Sequence, residues 1–406
     1  MFKKMKTSFL VFVVLSFATT ALAQFAPDFR RGFNFVDFNG HSYGNSDVSV
    51  ELQKLKALGV TWISLTPIGM MSNYQSNLIS ISDNQWSTQR DYRKVIQLAH
   101  SLGMKVNIKP MLFLHDVATS NEQGNITRWH GIIEPTNPSL WFNSFFNYIS
   151  FYLRIAEATG ADEFTIGSEL MSMTVGLPDY LRNNDNQIFW YGFPGEWVKI
   201  AKKSKEIYKG RISYDFNSGW EYQNYKIRLY YESLARPEER LGFSEFYQLL
   251  DTVGCDMYDS LLSREDRYQN AEELQRMLNE NAAILADNIM TNLDEMNDYN
   301  CQIQNDIDKC EKKLDIKEIG YKSCTDCFID PWGYDGHGKV NLPHQAYSYN
   351  AILKAFSAPR YTQKLSGIFF WEWKTASDVG GVNDSGFTPQ DKEQTLEIIR
   401  RFFLSI

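Results

Sequence analysis

Short runs of apolar and β-branched residues alternate along this chain with longer stretches in which apolar positions recur every three or four residues. That rhythm is the pattern of repeated strand–helix units. Eight short runs predict strands: Arg31–Val36, Thr61–Pro67, Lys105–Leu112, Glu163–Ser168, Arg211–Phe216, Val253–Met257, Asp315–Ile319 and Ser366–Trp371. Helical patterns fall between them. In Trp141–Thr159 the apolar positions Phe142, Phe145, Phe146, Ile149, Leu153 and Ile155 define a buried face, and Gly160 supplies a stop. Gly59 and Gly103 occupy matching places, each closing a helix just before a strand begins. Eight such units predict an α/β fold, a (β/α)8 TIM barrel with long loops. Residues 264–313, polar and of helical composition, predict a helical insertion between strands six and seven.

The first 23 residues stand apart from this pattern. Lys3, Lys4 and Lys6 precede a mostly apolar run from Ser8 to Ala18, and Ala21-Leu22-Ala23 offers a small-residue cleavage site. This predicts a signal peptide over 1–23, a single catalytic domain over 24–406, and a secreted protein, periplasmic or extracellular. No later stretch approaches the roughly 20 apolar residues of a membrane-spanning helix. The chain's 406 residues exceed the roughly 250 of a bare barrel, which fits one domain with long loops.

The formal charge of -8, more negative still once the three leader lysines are removed, argues against nucleic acid as a partner and leaves a neutral polymer admissible. Oligomeric state is not set by any pattern here. Of the five cysteines, Cys301, Cys310, Cys324 and Cys327 lie close enough in sequence to form two disulfides in an oxidising compartment, in pairings the spacing leaves open. Cys255, in an apolar run, reads as a buried thiol. Cys324 and Cys327 have CxxC spacing, but no second cysteine pair or histidine cluster completes a metal site, so no metal or cofactor is expected.

Two glutamates sit where a predicted strand runs out into a loop: Glu169 after Phe164-Thr165-Ile166-Gly167-Ser168, and Glu318 after Leu314-Asp315-Ile316-Lys317. In a parallel barrel the C-terminal strand ends converge on one face, so carboxylates distant in sequence meet there. A facing carboxyl pair is what glycoside hydrolysis requires, an acid for the leaving oxygen and a carboxylate to attack or to activate water. Glu169 is assigned as general acid/base, its pKa expected to rise in a partly dry cleft, and Glu318 as nucleophile. The loop of residues 115–138 brings His115, Asp116, Arg128, Trp129 and His130 to the same face.

At this point the motifs support a resemblance. Gly167-Ser168-Glu169-Leu170, Lys317-Glu318-Ile319-Gly320-Tyr321 and Phe369-Phe370-Trp371-Glu372-Trp373 resemble the clan A glycoside hydrolases. More narrowly, together with Arg31-Gly32-Phe33-Asn34-Phe35, Val106-Asn107-Ile108-Lys109-Pro110, Trp141-Phe142 and Ser213-Tyr214-Asp215-Phe216-Asn217, they resemble glycoside hydrolase family 113, whose described members are retaining β-1,4-mannanases. The resemblance implies Glu169 as acid/base and Glu318 as nucleophile, acting on β-linked oligo- or polysaccharide. It also points to Trp371, with Trp373 beside it, as a platform under the sugar. Tyr258 is placed to hydrogen-bond the nucleophile, and Lys109, His115 and Asn217 to grip sugar hydroxyls. The chain departs from the clan in having Ser168 where many members place Asn before the acid/base. Other β-glycoside specificities, and a glycan-binding barrel without catalysis, are the competing readings.

Overall fold

The computed structural model describes residues 25–38, 41–81, 87–115, 129–178, 181, 184–304, 310–333 and 338–406. The predicted signal peptide lies outside these residues, as do Asp116 and Arg128. Eight parallel strands close into a barrel: β1 (Arg30–Val36), β2 (Trp62–Leu65), β4 (Lys105–Ile108), β6 (Glu163–Ser168), β7 (Arg211–Asn217), β8 (Thr252–Met257), β9 (Leu314–Ile319) and β10 (Leu365–Lys374), with β10 closing onto β1. Helices α1 (Val48–Ala57), α2 (Gln89–Ser101), α3 (Pro138–Thr159), α5 (Pro194–Ile207), α6 (Trp220–Leu234), α8 (Ala271–Ile303), α9 (Leu342–Phe356) and α10 (Glu393–Leu404) follow the strands, with short α4 (Met171–Thr174) and α7 (Phe243–Leu249) among them. The glycines predicted to end helices do so with positive φ, 87° at Gly59, 73° at Gly103 and 67° at Gly160, a conformation that costs glycine nothing.

The second and third strands differ from the sequence reading. The second was expected to reach Pro67 and the third to run unbroken through Pro110. Instead β2 and β4 stop short, and their chains resume as β3 (Ile68–Met71) and β5 (Met111–Leu114), a separate two-stranded parallel ribbon. The prolines account for the break. Lys109 and Met111 still donate backbone N–H groups to Leu65 and Pro67 at 2.8 Å, so in this alternation the position between them faces β6. There Pro110 has no N–H to give. The pair therefore leaves the barrel while staying bonded to itself. Tyr148 of α3 secures it, its hydroxyl donating to the carbonyls of Pro67 (2.8 Å) and Met111 (3.0 Å).

The polar stretch between the sixth and seventh barrel strands is one 33-residue helix, α8, with Asn270 as its N-cap. Leu274, Leu278, Ala282, Ala286, Ile289, Leu293 and Met296 are buried at spacings of three and four and seat it between α6 and α9. It serves as the outer helix of its unit and continues beyond it to a disulfide between Cys301 and Cys310. Cys324 pairs with Cys327, and Cys255 is a buried free thiol. Among the described residues no helix is long and apolar enough to cross a membrane.

The apolar core lies between barrel and helices, where Phe33, Phe370, Tyr349 and Phe403 pack ring against ring. The barrel interior is polar instead. At its lower end Arg30 bridges Glu163 (2.7 Å) and Asp315 (2.6 Å), Lys317 pairs with the same Glu163, and Arg211 approaches it at 3.5 Å. Above them Asn107 donates to Ser64 and Thr165 at 3.1 Å. Higher again lies a third layer, made of Lys109, Asp215, Asp256 and Glu318.

Candidate active site

Glu169 occupies the first position after β6 with φ of 54°, left-handed backbone that a residue with a side chain rarely adopts. Two bonds from β7 hold it. Its N–H donates to the Asp215 carbonyl at 2.8 Å, and the next N–H, of Leu170, donates to the Tyr214 hydroxyl at 3.1 Å. The carboxylate then meets Asn217, whose side-chain amide donates to Oε1 at 2.8 Å, and His130, whose Nε2 lies 3.4 Å from Oε2. Trp129 stacks edge-on against the His130 ring at 4.8 Å.

Glu318 closes β9 and is gripped on both oxygens. Lys109 Nζ is 2.8 Å from Oε1, and the Tyr258 hydroxyl donates to Oε2 at 2.8 Å. The same ammonium reaches both oxygens of Asp256 (3.0 and 2.9 Å) and Oδ2 of Asp215 (3.2 Å). Ser168 completes the group by donating to Asp256 Oδ2 at 2.8 Å. Gly254 makes room for it, since a Cβ there would collide with the Asp215 carboxyl.

The two glutamates are 7% and 2% exposed, so burial acts on both, yet their surroundings separate them. Burial pushes the Glu318 carboxyl above its ordinary range; Lys109 pulls the other way, and the neighbouring charge of Glu169 adds to the rise. For Glu169 burial also works upward, but His130 beside it, with Asn217, brings the carboxyl below its usual value. This corrects the rise expected from sequence. Burial was weighed there, and the His130 partner from the preceding loop was not.

Trp371 is buried at the rim of β10, packed with Val36, Met111 and Phe387 and with Phe38, Phe113 and Tyr258 at its edges. Trp373 is a correction to the sequence reading. It turns outward, its ring against Phe33 and its Nε1 donating to Glu51 of α1 at 2.9 Å, so it packs the shell and does not face the cleft. The two tryptophans lie on opposite sides of β10. His115 stands exposed at the end of β5. Lys109, expected to grip hydroxyls, is fully buried beneath Glu318.

Sequence reasoning passed over Asp215, Asp256 and Glu221. A signal was present, since acids inside apolar strands are seldom buried without partners. Glu221, at the start of α6, accepts from the Tyr214 hydroxyl at 2.7 Å, from Asn217 N–H at 3.0 Å and from Thr174, and so fixes the turn that aims Asn217. Burial lifts its carboxyl from 4.5 to about 8. Between those values the folded chain keeps a proton that the unfolded chain releases, so stability falls as pH rises through that window. Glu221→Gln, which mimics the protonated acid, is expected to flatten this fall by up to about 1.4 kcal/mol per pH unit. Urea unfolding at a series of pH values measures it, and an unchanged slope counts against the assignment.

Fold and carboxylate pair together describe a barrel glycosidase. The sequence profile of Glycoside Hydrolase Family 113 matches residues 32–392, and the chain belongs to that family. Among solved structures it is similar to the GH113 beta-mannanase AaManA from Alicyclobacillus acidocaldarius in complex with ManMIm, at 19% identity and a TM-score of 0.63, covering 93% of this chain and 97% of that one. A GH113 beta-1,4-mannanase complex aligns with the same TM-score at 16% identity, over 93% and 99% of the two chains. The family 1 b-glucosidase from Thermotoga maritima aligns at 12% identity and a TM-score of 0.54, over 95% and 99%. At these identities the structural likenesses speak for the fold. No curated protein matches the sequence.

Proposed function

We propose that this chain is an exported, retaining, endo-acting β-1,4-mannanase using Glu169 as acid/base and Glu318 as nucleophile. The observation that carries the reading is the pair of buried glutamates at the ends of β6 and β9, each held on both oxygens, in a family whose solved members include β-1,4-mannanases. Glu318 attacks the anomeric carbon while Glu169 gives its proton to the departing oxygen, leaving a glycosyl ester and a free sugar hydroxyl. Water then surrenders a proton to Glu169 and displaces Glu318. Two inversions give net retention, the outcome that accompanies carboxyls about 5–5.5 Å apart.

In the free site the shifts run against this division, Glu318 raised by burial and Glu169 lowered by His130, so the roles require bound sugar to change the balance. A sugar seated over the pair strips water from Glu169 and favours its neutral, proton-donating form. Once Glu318 is esterified its charge is gone, the proton affinity of Glu169 drops, and it is ready to act as base. Asn217 holds Oε1 of Glu169 and Tyr258 holds Oε2 of Glu318, while Trp371, packed under Phe38 and Phe113, has to be uncovered before a sugar can stack on it. His115, exposed at the tip of the ribbon, suits a more distant sugar. Two disulfides accord with an oxidising compartment outside the cytoplasm.

Incubation with linear mannan, glucomannan and cellulose tests the substrate and the mode together. Mannan is expected to yield a ladder of oligosaccharides with β-configured reducing ends at first appearance. Mannose alone would make the enzyme exo-acting, cleavage confined to cellulose would move the specificity to β-glucan, and no product from any polymer would leave a glycan-binding barrel.

A further inference from the structure

The charges inside the barrel are unevenly matched. In the lower layer Arg30, Lys317 and Arg211 face Glu163 and Asp315, three cations for two acids. In the upper layer one ammonium, Lys109, is in contact with Glu318, Asp256 and Asp215, all three buried, with Lys317 from the layer below adding its charge to Asp215. Buried carboxylates left without a counter-charge are costly, so each of the three has a claim on that cation. Lys109 sits within 3.2 Å of all of them.

We propose that Lys109, Asp256 and Ser168 are positioning residues that set the charge of the nucleophile, Lys109 by dividing its ammonium between Glu318 and Asp256, Asp256 by competing for it, and Ser168 by anchoring Asp256. The inference rests on the reading of Glu318 as nucleophile. It assigns Ser168 to the charge bridge: its hydroxyl is spent on Asp256 Oδ2 at 2.8 Å, so it is not the group that holds the sugar. Asp256 accepts three hydrogen bonds from two donors, two from Lys109 and one from Ser168, and forms the far abutment against which the ammonium is braced. Asp215 makes the remaining contact and otherwise has no hydrogen-bond donor on its carboxyl.

The groups facing Glu318 are Lys109 after β4, Glu169 after β6, Asp215 on β7, Asp256 on β8, Tyr258 after β8 and Glu372 on β10. Of these only Lys109 is a cation. The carboxyls of Asp256 and Asp215 are driven upward by burial first, with Lys109 opposing, which marks them as competitors for the same charge.

Opposite shifts in the acid limb of the kcat/KM profile test the division of charge, because that limb reports the free-enzyme group that must be ionised. Lys109→Met removes the cation and is expected to move the limb up by roughly one pH unit or more, with kcat falling and KM little changed. Asp256→Asn removes the competitor and is expected to move it down. Lys109→Arg keeps the charge and restores the limb toward its original place. Ser168→Ala is expected to cost less than roughly tenfold, and equally on a substrate and its 2-deoxy analogue. Titration of 13C-labelled glutamate carboxyls by NMR follows Glu318 directly, without turnover. The bridge would therefore still register if mannan were not the substrate, and failure of that reading stays separate. Should Lys109→Met not fold, Asp256→Asn and Lys109→Arg carry the test. A limb and a titration curve that stay fixed in Asp256→Asn, or a Ser168→Ala loss that appears only when the 2-hydroxyl is present, overturn the proposal.

Discussion

Glu318→Gln is expected to lower turnover on mannan by roughly 10⁴- to 10⁶-fold while leaving oligosaccharide affinity within a few-fold of the parent protein. The amide is nearly the same shape as the acid: its single oxygen can still accept from the Lys109 ammonium, and its NH2 can donate to the Tyr258 hydroxyl oxygen, which also accepts. What it lacks is the negative charge and the lone pair that form the ester. Loss should therefore fall on kcat. Calorimetric titration with a mannooligosaccharide beside a reducing-sugar assay separates the two quantities. Turnover within tenfold of the parent would remove Glu318 from the attack, and collapse of both quantities would point to a disrupted barrel rim. The substitution also leaves Lys109 facing two acids instead of three. Gross unfolding is accordingly not expected.

Glu169→Gln has a different signature, because its proton matters only when the leaving group needs one. On mannan the loss is expected to be roughly 10²- to 10⁴-fold, the usual worth of general acid catalysis. On an aryl mannoside with a strongly activated phenol the first step is expected to survive, since that phenolate departs without help. The second step then stalls for want of a base, so a burst of phenol equal to the enzyme concentration should precede a slow steady state. Azide, a nucleophile that has no proton to lose, is expected to restore the steady rate and to yield a β-mannosyl azide. No burst and no azide effect would place the acid/base elsewhere. Asn217 and His130 both touch this carboxylate, so either exchange also tests how the left-handed turn at Glu169 is aimed.

The barrel strands could be located from sequence because their residues are buried on both faces and their ends are marked by glycines with positive φ and by charged loops. Glu169 and Glu318 could be placed at strand ends for the same reason, each following or closing an apolar run. The ribbon of β3 and β5 was hidden because Pro67 and Pro110 look like strand ends or strand interiors equally well, and only the direction of neighbouring N–H groups distinguishes them. Trp373 was misplaced because alternation along β10 puts it on the same side as Trp371. The structure does not follow that alternation across the two residues. Lys109 read as a group reaching up toward substrate, whereas three acids on three other strands draw it inward. Contacts of that kind depend on which strands face one another across the barrel, and spacing along the chain carries no record of it.

The ribbon gives one side of the cleft the character of a parapet. Loops usually make such walls, and loops yield; here Lys109, Met111 and His115 donate main-chain bonds across to Leu65, Pro67 and Met71, and Tyr148 ties the base. Its crest therefore rises in steps of about 3.3 Å per residue, carrying Phe113 up beside Phe38 and Trp371. Adding or trimming a pair of residues in both strands raises or lowers the coping without disturbing the carboxylates below. In this barrel the height of that side is written in strand residues.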